Sequence, residues 1–251
     1  MILIGVIYCM GIKKLLNDNN KTFYWIGFLL ADGYFSKLGR LRVQLAIKDL
    51  NHLQKLSKFL DIPLRNNIFD IQDKEVINNI KLKFNIITPK TYNPPNIEVF
   101  KSFNNDLLMS LIIGFIDGDG SITNQSGRND NSLRIKNHSS WINVLKYFHL
   151  FITSRSNILF PSPKINKDGY AELQCCNMNI LKFLKSHIVK YKLPVLDRKW
   201  DKIDLNRISM YDMATERKKK VWSLRKQGLT YKEICGIVGI TKGRVSRILN
   251  E

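Results

Sequence analysis

The chain contains 251 residues, with 40 Lys or Arg against 21 Asp or Glu, so its formal net charge is +19 at pH 7. Such an excess of positive charge is typical of proteins that bind nucleic acid, because neutralising phosphates with Lys and Arg releases counterions. A helix that crosses a membrane needs about 20 apolar residues. No stretch of this sequence has that length, so we expect no membrane partner.

The amino-terminal stretch and the cysteines indicate a protein of a reducing compartment. Residues 1–10 are apolar, but Lys13 and Lys14 follow them, which reverses the order found in a secretory signal. We treat residues 1–21 as an N-terminal extension. Neither a CxxC pair nor a zinc-type spacing with His is formed by the four cysteines, which are Cys9, Cys175, Cys176 and Cys235. Secretion is therefore not expected.

The first strong pattern is an apolar helix, residues 25–33, that ends in Asp-Gly. Gly27 and Ala31 are four residues apart and share one face of this helix, where they would let a second helix approach closely. Asp32 comes at the C-terminal end, where the partial negative charge of the helix disfavours a carboxylate unless a cation neutralises it. A single copy of this pattern would most simply end a helix and begin a turn.

A strand with one polar face follows. Over residues 40–45, Arg40, Arg42 and Gln44 alternate with apolar residues, which predicts a half-buried strand with a cationic face. The elements predicted after it are a helix that ends near residue 60, a strand at 68–72, a helix at 74–85 capped by Asp73, and an irregular proline-rich linker at 88–95.

The apolar pattern with a terminal Asp-Gly returns at residues 112–120, with Gly114 and Gly118 as its small residues and Asp119 as its last acid. Two matched copies favour a paired site over two independent helix ends. If the helices pack through their small residues, Asp32 and Asp119 lie together. Carboxylate oxygens are ligands of hard divalent cations, so we predict a magnesium site.

The segment after the second copy repeats the order of the first half. On a strand at 132–138, Arg134, Lys136 and His138 form a second cationic face. The other predicted elements are strands at 121–125 and 170–175, a helix containing Trp141, Leu145 and Phe148, and a helix from Asn177 to about residue 190. Each half is therefore predicted as helix-strand-strand-helix-strand-helix, which makes the two halves an internal repeat.

The two apolar segments resemble the paired signature helices of single-chain LAGLIDADG homing endonucleases, and the resemblance covers roughly residues 22–201. It implies an α+β fold of two pseudo-symmetric half-domains, 22–95 and 96–210, whose saddle-shaped antiparallel sheets bind double-stranded DNA. It also implies a monomer that cuts both strands across the minor groove and leaves short 3′ overhangs.

In that family the acid that ends each signature holds catalytic metal, which on this chain selects Asp32 and Asp119 for Mg²⁺. The resemblance further implies that the carbonyl groups of Ala31 and Gly118 are metal ligands. Asp117 stands where the first copy has a leucine. We expect Asp117 at the helix end or interface and not in the metal site.

The resemblance also implies polar groups around the acids. Gln44 takes the position of a solvent-ordering glutamine, and Lys74 lies near the position of the active-site lysine. In the second half that lysine position falls near Asn177, where no lysine occurs. His138 is favoured as a DNA contact over a general base. The residues expected to contact DNA from the two sheets are Arg40, Arg42, Gln44, Arg134, Lys136 and His138.

Residues 211–251 have a different pattern and are predicted to form a helix-turn-helix module. The predicted elements are a helix that begins with Val221, Trp222 and Leu224, a helix capped by Thr230 and Glu233, a turn at Gly239, and a last helix capped by Thr241. The spacing resembles the DNA-binding domains of resolvases and repressors. A small helical cap on the core is the alternative. The residues expected to contact DNA from the last helix are Lys242, Arg244, Ser246 and Arg247.

Two functions are compatible with the sequence. The first is a site-specific, metal-dependent DNA homing endonuclease, encoded within an intron or as a free-standing mobile gene. The alternative is a nucleic-acid binder that does not cut, either an intron RNA maturase or a transcription regulator. Retention of both Asp32 and Asp119 favours the enzyme. Frequent Asn, Ile and Lys suggest an AT-rich genome, so we expect the protein in an organelle (mitochondrion or chloroplast) or in phage or microbial cytoplasm.

Overall fold

The first half of the protein has the predicted order of elements. The computed structural model describes residues 11–65, 67–124 and 131–251. The elements of the first half are α1 (Asn20–Asp32), β1 (Tyr34–Phe35), β2 (Arg40–Gln44), α2 (Leu50–Leu60), β3 (Ile68–Gln72) and α3 (Lys74–Lys83). The three strands form an antiparallel sheet in the order β1-β2-β3. The Asp73 side chain accepts a hydrogen bond from the Val76 backbone, which confirms the predicted cap of α3.

The second half repeats this order with one added strand and two added short helices. Its elements are α4 (Ile97–Lys101), α5 (Asn105–Asp119), β4 (Gly120–Asn124), β5 (Asn131–His138), α6 (Ile142–Ser156), β6 (Lys164–Ile165), β7 (Tyr170–Cys175), α7 (Met178–Tyr191) and α8 (Asp197–Trp200). The sheet order is β4-β5-β7-β6, and the two-residue β6, which the repeat did not predict, pairs with β7. Gln125 of the predicted strand, the apolar residues 1–10 and Cys9 lie outside the described residues.

Helices α1 and α5 pack backbone to backbone through the predicted small residues. A Cβ atom added to Gly27 would lie 1.8 Å from the Leu111 carbonyl oxygen, and one added to Gly114 would lie 1.8 Å from the Tyr24 carbonyl oxygen. Nearer the C-terminal ends, a Cβ atom added to Gly118 would lie 2.2 Å from the Cβ atom of Ala31. The added Cβ atoms of Gly27 and Gly114 also lie 2.9 Å from the backbone nitrogens of Phe115 and Phe28, respectively, so residues 24–28 face residues 111–115 while Ala31 faces Gly118. The helices are therefore parallel, and their C-terminal ends lie together.

The strand periodicity is also confirmed. Leu41 and Val43 of β2 are buried, whereas Arg40 and Gln44 are exposed. On β5 the burial alternates in the same way over residues 133–136. Each sheet therefore has one face in the core and one cationic face.

Asp117 joins the two halves, as predicted for an interface residue. Its buried carboxylate accepts hydrogen bonds from the Tyr24 hydroxyl at 2.6 Å, the Trp200 indole at 2.7 Å and the Leu196 backbone at 2.9 Å. The Tyr24 hydroxyl also lies 3.1 Å from Nε2 of His52 on α2. Burial raises the pKa of Asp117, and the hydrogen bonds oppose that shift.

The first helix of the C-terminal module begins earlier than predicted. Its helices are α9 (Met210–Lys226), α10 (Tyr231–Val238) and α11 (Lys242–Asn250). The prediction that the first helix begins at Val221 was wrong, because the charged run before it has no apolar periodicity although it is helical. Ser209 caps α9 by accepting a hydrogen bond from the Asp212 backbone. None of the helices in the described ranges combines the length and the apolar character needed to cross a membrane.

The module has a small core of its own, formed by Val221, Ile234, Val245 and Ile248. The capping box of Thr230 and Glu233 is confirmed, and Gly239 adopts a positive φ of 68° at the turn. Two details differ from the prediction. Trp222 is 43% exposed and lies outside this core, and Thr241 occupies the cap position of α11 without a side-chain hydrogen bond.

Candidate active site

Asp32 and Asp119 are the last residues of the two parallel helices. The following residue, Gly33 or Gly120, caps each helix through its backbone N–H. The structure therefore brings the two predicted acids to one place, at the interface of the two halves. Asp32 is the more exposed of the two acids, and Asp119 is half-buried.

Both carboxyl groups are partly removed from water. Burial raises the pKa of Asp32, and it raises the pKa of Asp119 to about 6, with the negative charge of Asp32 adding to the latter shift. The side-chain amide of Asn137 donates a hydrogen bond of 2.7 Å to Asp119. The β-strand register makes Leu45 the counterpart of Asn137, since Tyr34 pairs with Arg42 in one half and Ser121 with Arg134 in the other. The two acids therefore have unequal surroundings.

A lysine lies at each helix end, half-buried in the case of Lys90 and buried in the case of Lys199. Lys90 donates to the carbonyl oxygens of Leu30, at 2.7 Å, and Ala31. Lys199 donates to three carbonyl oxygens at the end of α5, those of Ile116 at 3.2 Å, Gly120 at 2.6 Å and Asp117. An ammonium group is favourable at a helix C-terminus, where unpaired carbonyls carry partial negative charge. Burial lowers the pKa of both lysines.

These lysines correct two sequence-based expectations. Lys74 contacts Gly39 at the β1–β2 hairpin, at the end of β2 that is remote from Asp32. The lysine at the C-terminal end of α1 is therefore Lys90. The second half does not lack an equivalent, because Lys199 occupies that place. The sequence contained one indication of this pair, which is the equivalent position of the two lysines in the repeat. Lys90 lies seven residues after the end of α3, and Lys199 lies eight residues after the end of α7.

Of the two lysines, the one in the opposite half acts more strongly on each acid. The charge on Lys90 lowers the pKa of Asp119 more than that on Lys199 does. For Asp32 the order is reversed, because Lys199 lowers its pKa more than Lys90 does. The two acids and two ammonium groups therefore form one electrostatically coupled cluster with no net formal charge when all four are ionised.

The pair of acids fits a divalent cation that takes its remaining ligands from substrate. In the described part of the chain, no group of three or more His, Cys, Asp or Glu side chains could hold a metal. Mg²⁺ is commonly bound through one or two carboxylates plus substrate phosphates and water, and Asp32 and Asp119 provide that number. The carbonyl oxygen of Ala31, an implied ligand, already accepts a hydrogen bond from Lys90.

Among the predicted DNA-contacting residues of the sheets, Arg40 and Arg134 are paired with acids on the same sheet face, and Lys136 lies near an acid of the β6–β7 turn. Arg42 is half-buried on β2. Arg40 makes a two-point contact with Asp70, in which its Nε donates at 2.7 Å. Arg134 donates to Glu172 at 2.8 Å. Lys136 lies 3.5 Å from an Asp168 oxygen and 4.3 Å from the centre of the Tyr170 ring.

Gln44 and His138 lie at the strand ends nearest the acids. The register of β1 and β2 places Gln44 level with Asp32, because Tyr34 pairs with Arg42. The Nδ1 atom of His138 accepts a hydrogen bond from the Ser140 backbone and so caps a short 3-10 turn. Only Nε2 of His138 remains for the predicted DNA contact.

The last helix presents its cations outward, as predicted. Lys242, Arg244 and Arg247 are exposed, and Ser246 is half-buried. Val245 and Ile248 of the same helix face the small core. This separation of faces is the one that a recognition helix requires.

No protein-family model and no curated protein matches the chain. Solved structures do match. The chain is similar to the LAGLIDADG homing endonuclease I-GzeII in complex with its DNA target, with a TM-score of 0.50 and 16% identity over 88% of this chain and 97% of that chain.

The chain is also similar to the meganuclease I-SmaMI bound to uncleaveable DNA, with a TM-score of 0.47 and 16% identity over 77% of this chain and 96% of that chain. A third similar structure is the LAGLIDADG homing endonuclease I-LtrWI bound to target DNA, with a TM-score of 0.42 and 15% identity over 83% of this chain and 92% of that chain. The likeness to I-GzeII, together with the paired signature helices, shows that the chain has the α+β LAGLIDADG fold.

Proposed function

We propose that this protein is a site-specific DNA endonuclease that hydrolyses one phosphodiester bond on each strand of a long double-stranded target. The observation that carries the proposal is the meeting of Asp32 and Asp119 at the ends of two parallel helices, with a lysine bound to the backbone carbonyls at each end. The net charge of +19 and the two cationic sheet faces support DNA as the partner. The likeness in fold to an endonuclease solved with its DNA target agrees with this.

Charge balance supports a divalent cation in the reaction. The two acids and two lysines already offset one another, so two phosphates brought in by DNA would leave the site negative. Mg²⁺, when bound by Asp32 and Asp119, would offset that charge and make water a stronger nucleophile. Lys90 and Lys199 would stabilise charge that develops on the phosphates, and Gln44 would orient water beside Asp32.

We propose that each half serves one strand. Each half supplies one acid and one lysine to the shared cluster, which supports a staggered cut with short 3′ overhangs. Because one chain contains both halves, the active species in this proposal is a monomer. The module of α9 to α11 would extend the contact with DNA through its exposed cations.

The proposal is tested by incubating the purified protein with a randomised duplex library in Mg²⁺ or Ca²⁺ and sequencing the ends. We expect ends at one long sequence with a fixed stagger in Mg²⁺. The Asp32→Asn/Asp119→Asn double variant should bind DNA but not cut it. As a matched control, Asp61→Asn removes an exposed carboxylate that pairs with Lys14 and should cut normally.

Other outcomes would contradict the proposal. Specific retention of DNA or of intron RNA by the wild-type protein, without a cut in either metal, would indicate a regulator or a maturase. Equal cutting by the double variant would remove Asp32 and Asp119 from the chemistry.

A further inference from the structure

The segment that carries Lys199 is bound to the opposite half of the molecule. Lys55 of α2 donates to the Val195 carbonyl oxygen and to both Asp197 carboxylate oxygens, each at 2.8 Å. Asp49, immediately before α2, accepts a two-point contact from Arg198, of which one bond is 2.7 Å long. Second-half residues 195–198 are therefore held by first-half side chains.

The Asp49–Arg198 contact holds the residue that immediately precedes Lys199. Helix α8 is a single turn, and Lys199 follows Arg198 within it. On the other side, Trp200 donates to Asp117 of the central interface. Both neighbours of Lys199 are thus fixed, and the Lys199 side chain, 4% exposed, reaches three carbonyl groups from this position. A two-point Arg–carboxylate contact restricts orientation as well as distance.

The arrangement recurs in the first half with different chemistry. Asp49 ends the 3-10 turn before α2, and Trp141 ends the equivalent turn before α6. The Trp141 indole donates at 3.2 Å to the carbonyl oxygen of Thr91, the residue after Lys90. Ser140 donates to the same oxygen at 2.8 Å. Each lysine segment is therefore bound by the opposite half, Lys199 through ion pairs and Lys90 through neutral hydrogen bonds.

We propose that Asp49 and Arg198 are positioning residues for Lys199, and that losing their contact impairs cleavage of one DNA strand more than the other. The second clause rests on the proposed function, whereas the first does not. The asymmetry follows because no ion pair holds the neighbours of Lys90 in this way, Pro89 and Thr91 being uncharged.

The position of Lys199 can be measured without DNA. The protein is treated briefly with acetic anhydride, and acetylation at Lys199 and Lys90 is quantified by peptide mass spectrometry. We expect Asp49→Asn to increase the rate at Lys199 several-fold and to leave Lys90 unchanged. Arg198→Gln should also increase the rate at Lys199 alone. Because Arg198 is the more exposed partner, this variant replaces Asp49→Asn in the test if Asp49→Asn does not fold. The control Asp61→Asn should leave the rates at Lys90 and Lys199 unchanged.

Strand-resolved cleavage then tests the consequence. On a target recovered from the library, with either strand end-labelled, we expect Asp49→Asn to slow one cut by about tenfold or more, so that nicked duplex accumulates. The Asp49→Asn/Arg198→Gln double variant should be no slower than either single variant, because both remove one interaction.

The inference and the proposed function fail in different ways. Unchanged acetylation of Lys199 in both single variants would overturn the positioning role, and a parallel rise at Lys90 would show general loosening instead. Equal slowing of both strands would overturn the asymmetry. If the wild-type protein cuts no DNA, the proposed function fails, and the acetylation result alone decides whether Asp49 and Arg198 position Lys199.

Discussion

At the scale of single residues, Asp119 is an acid whose charge is unfavourable in the folded protein. Burial raises its pKa from 3.8 to about 6. Between these values the folded protein binds more protons than the unfolded chain, so the contribution of this group to stability falls as the pH rises through that window. The candidate active site is therefore less stable at neutral pH than at pH 4, as expected for groups arranged for binding and not for stability.

We predict that Asp119→Asn stabilises the protein at pH 7.5 by about 1–2 kcal/mol, a range reduced for the partial exposure of the group. The gain should be much smaller at pH 4, where Asp119 is already protonated in the folded state. Thermal unfolding at the two pH values measures it. A gain of equal size at both would show that the carboxylate charge is not its origin.

A second residue-scale prediction concerns Arg40. Asp70 binds the Nε edge of the Arg40 guanidinium and leaves Nη1 free to reach a base edge in the major groove. Asp70→Ala should lower discrimination at one base pair of the target by about 1 kcal/mol or more, while raising affinity for mixed-sequence DNA because a negative charge is lost. Selection of cleaved sequences from a randomised library measures the discrimination at each base pair, and binding to a random-sequence duplex measures the affinity for mixed-sequence DNA. An unchanged profile would count against this orientation of Arg40.

At the scale of elements, the α1–α5 contact depends on the absence of side chains. Gly27→Ala or Gly114→Ala would place a methyl group against backbone of the opposite helix, and we expect destabilisation of about 1–3 kcal/mol or more. Gly236→Ala and Gly243→Ala are matched controls, because these helical glycines have no heavy atom within 4 Å of an added Cβ. The controls should be neutral or stabilising by about 0.5–1 kcal/mol.

Unfolding monitored by circular dichroism compares the four alanine variants. The comparison isolates packing, since all four carry the same chemical change in a helix. If Gly27→Ala matched Gly236→Ala in stability, the close approach of α1 and α5 would be wrong.

At the scale of the whole molecule, the C-terminal module packs a separate small core, linked to the rest through α9. Asn179 of α7 donates to Asp212 at 3.0 Å near the start of that helix. We predict that a chain ending at residue 214 still folds and cuts, but binds DNA more weakly and with a shallower dependence on salt. Loss of Lys242, Arg244 and Arg247 should reduce the slope of log affinity against log salt by roughly 2–3.

Binding titrations at several salt concentrations test this division. The full-length triple variant Lys242→Ala/Arg244→Ala/Arg247→Ala should reproduce the affinity loss of the truncation. A well-folded truncation with unchanged affinity would assign the module some role other than DNA contact.

Sequence alone determined the features that depend on local spacing. Small residues four apart specified the packed faces of α1 and α5, and period-two alternation specified the polar faces of β2 and β5. The two acids could be placed together because each ends a helix whose contact face was already apparent. The start of α9 was missed because a charged, solvent-exposed helix leaves no apolar period to detect.

Only the tertiary structure decided which basic groups complete the site. Lys90 lies within the proline-rich linker and Lys199 lies on a one-turn helix, so neither has a periodic pattern to indicate where its side chain points. Their positions depend on Thr91 and Arg198 being held by side chains of the opposite half. Helices and strands are specified by neighbours a few residues away. These lysines are instead placed by contacts between residues 50 and 149 positions apart in the chain, which form only when the two halves have packed.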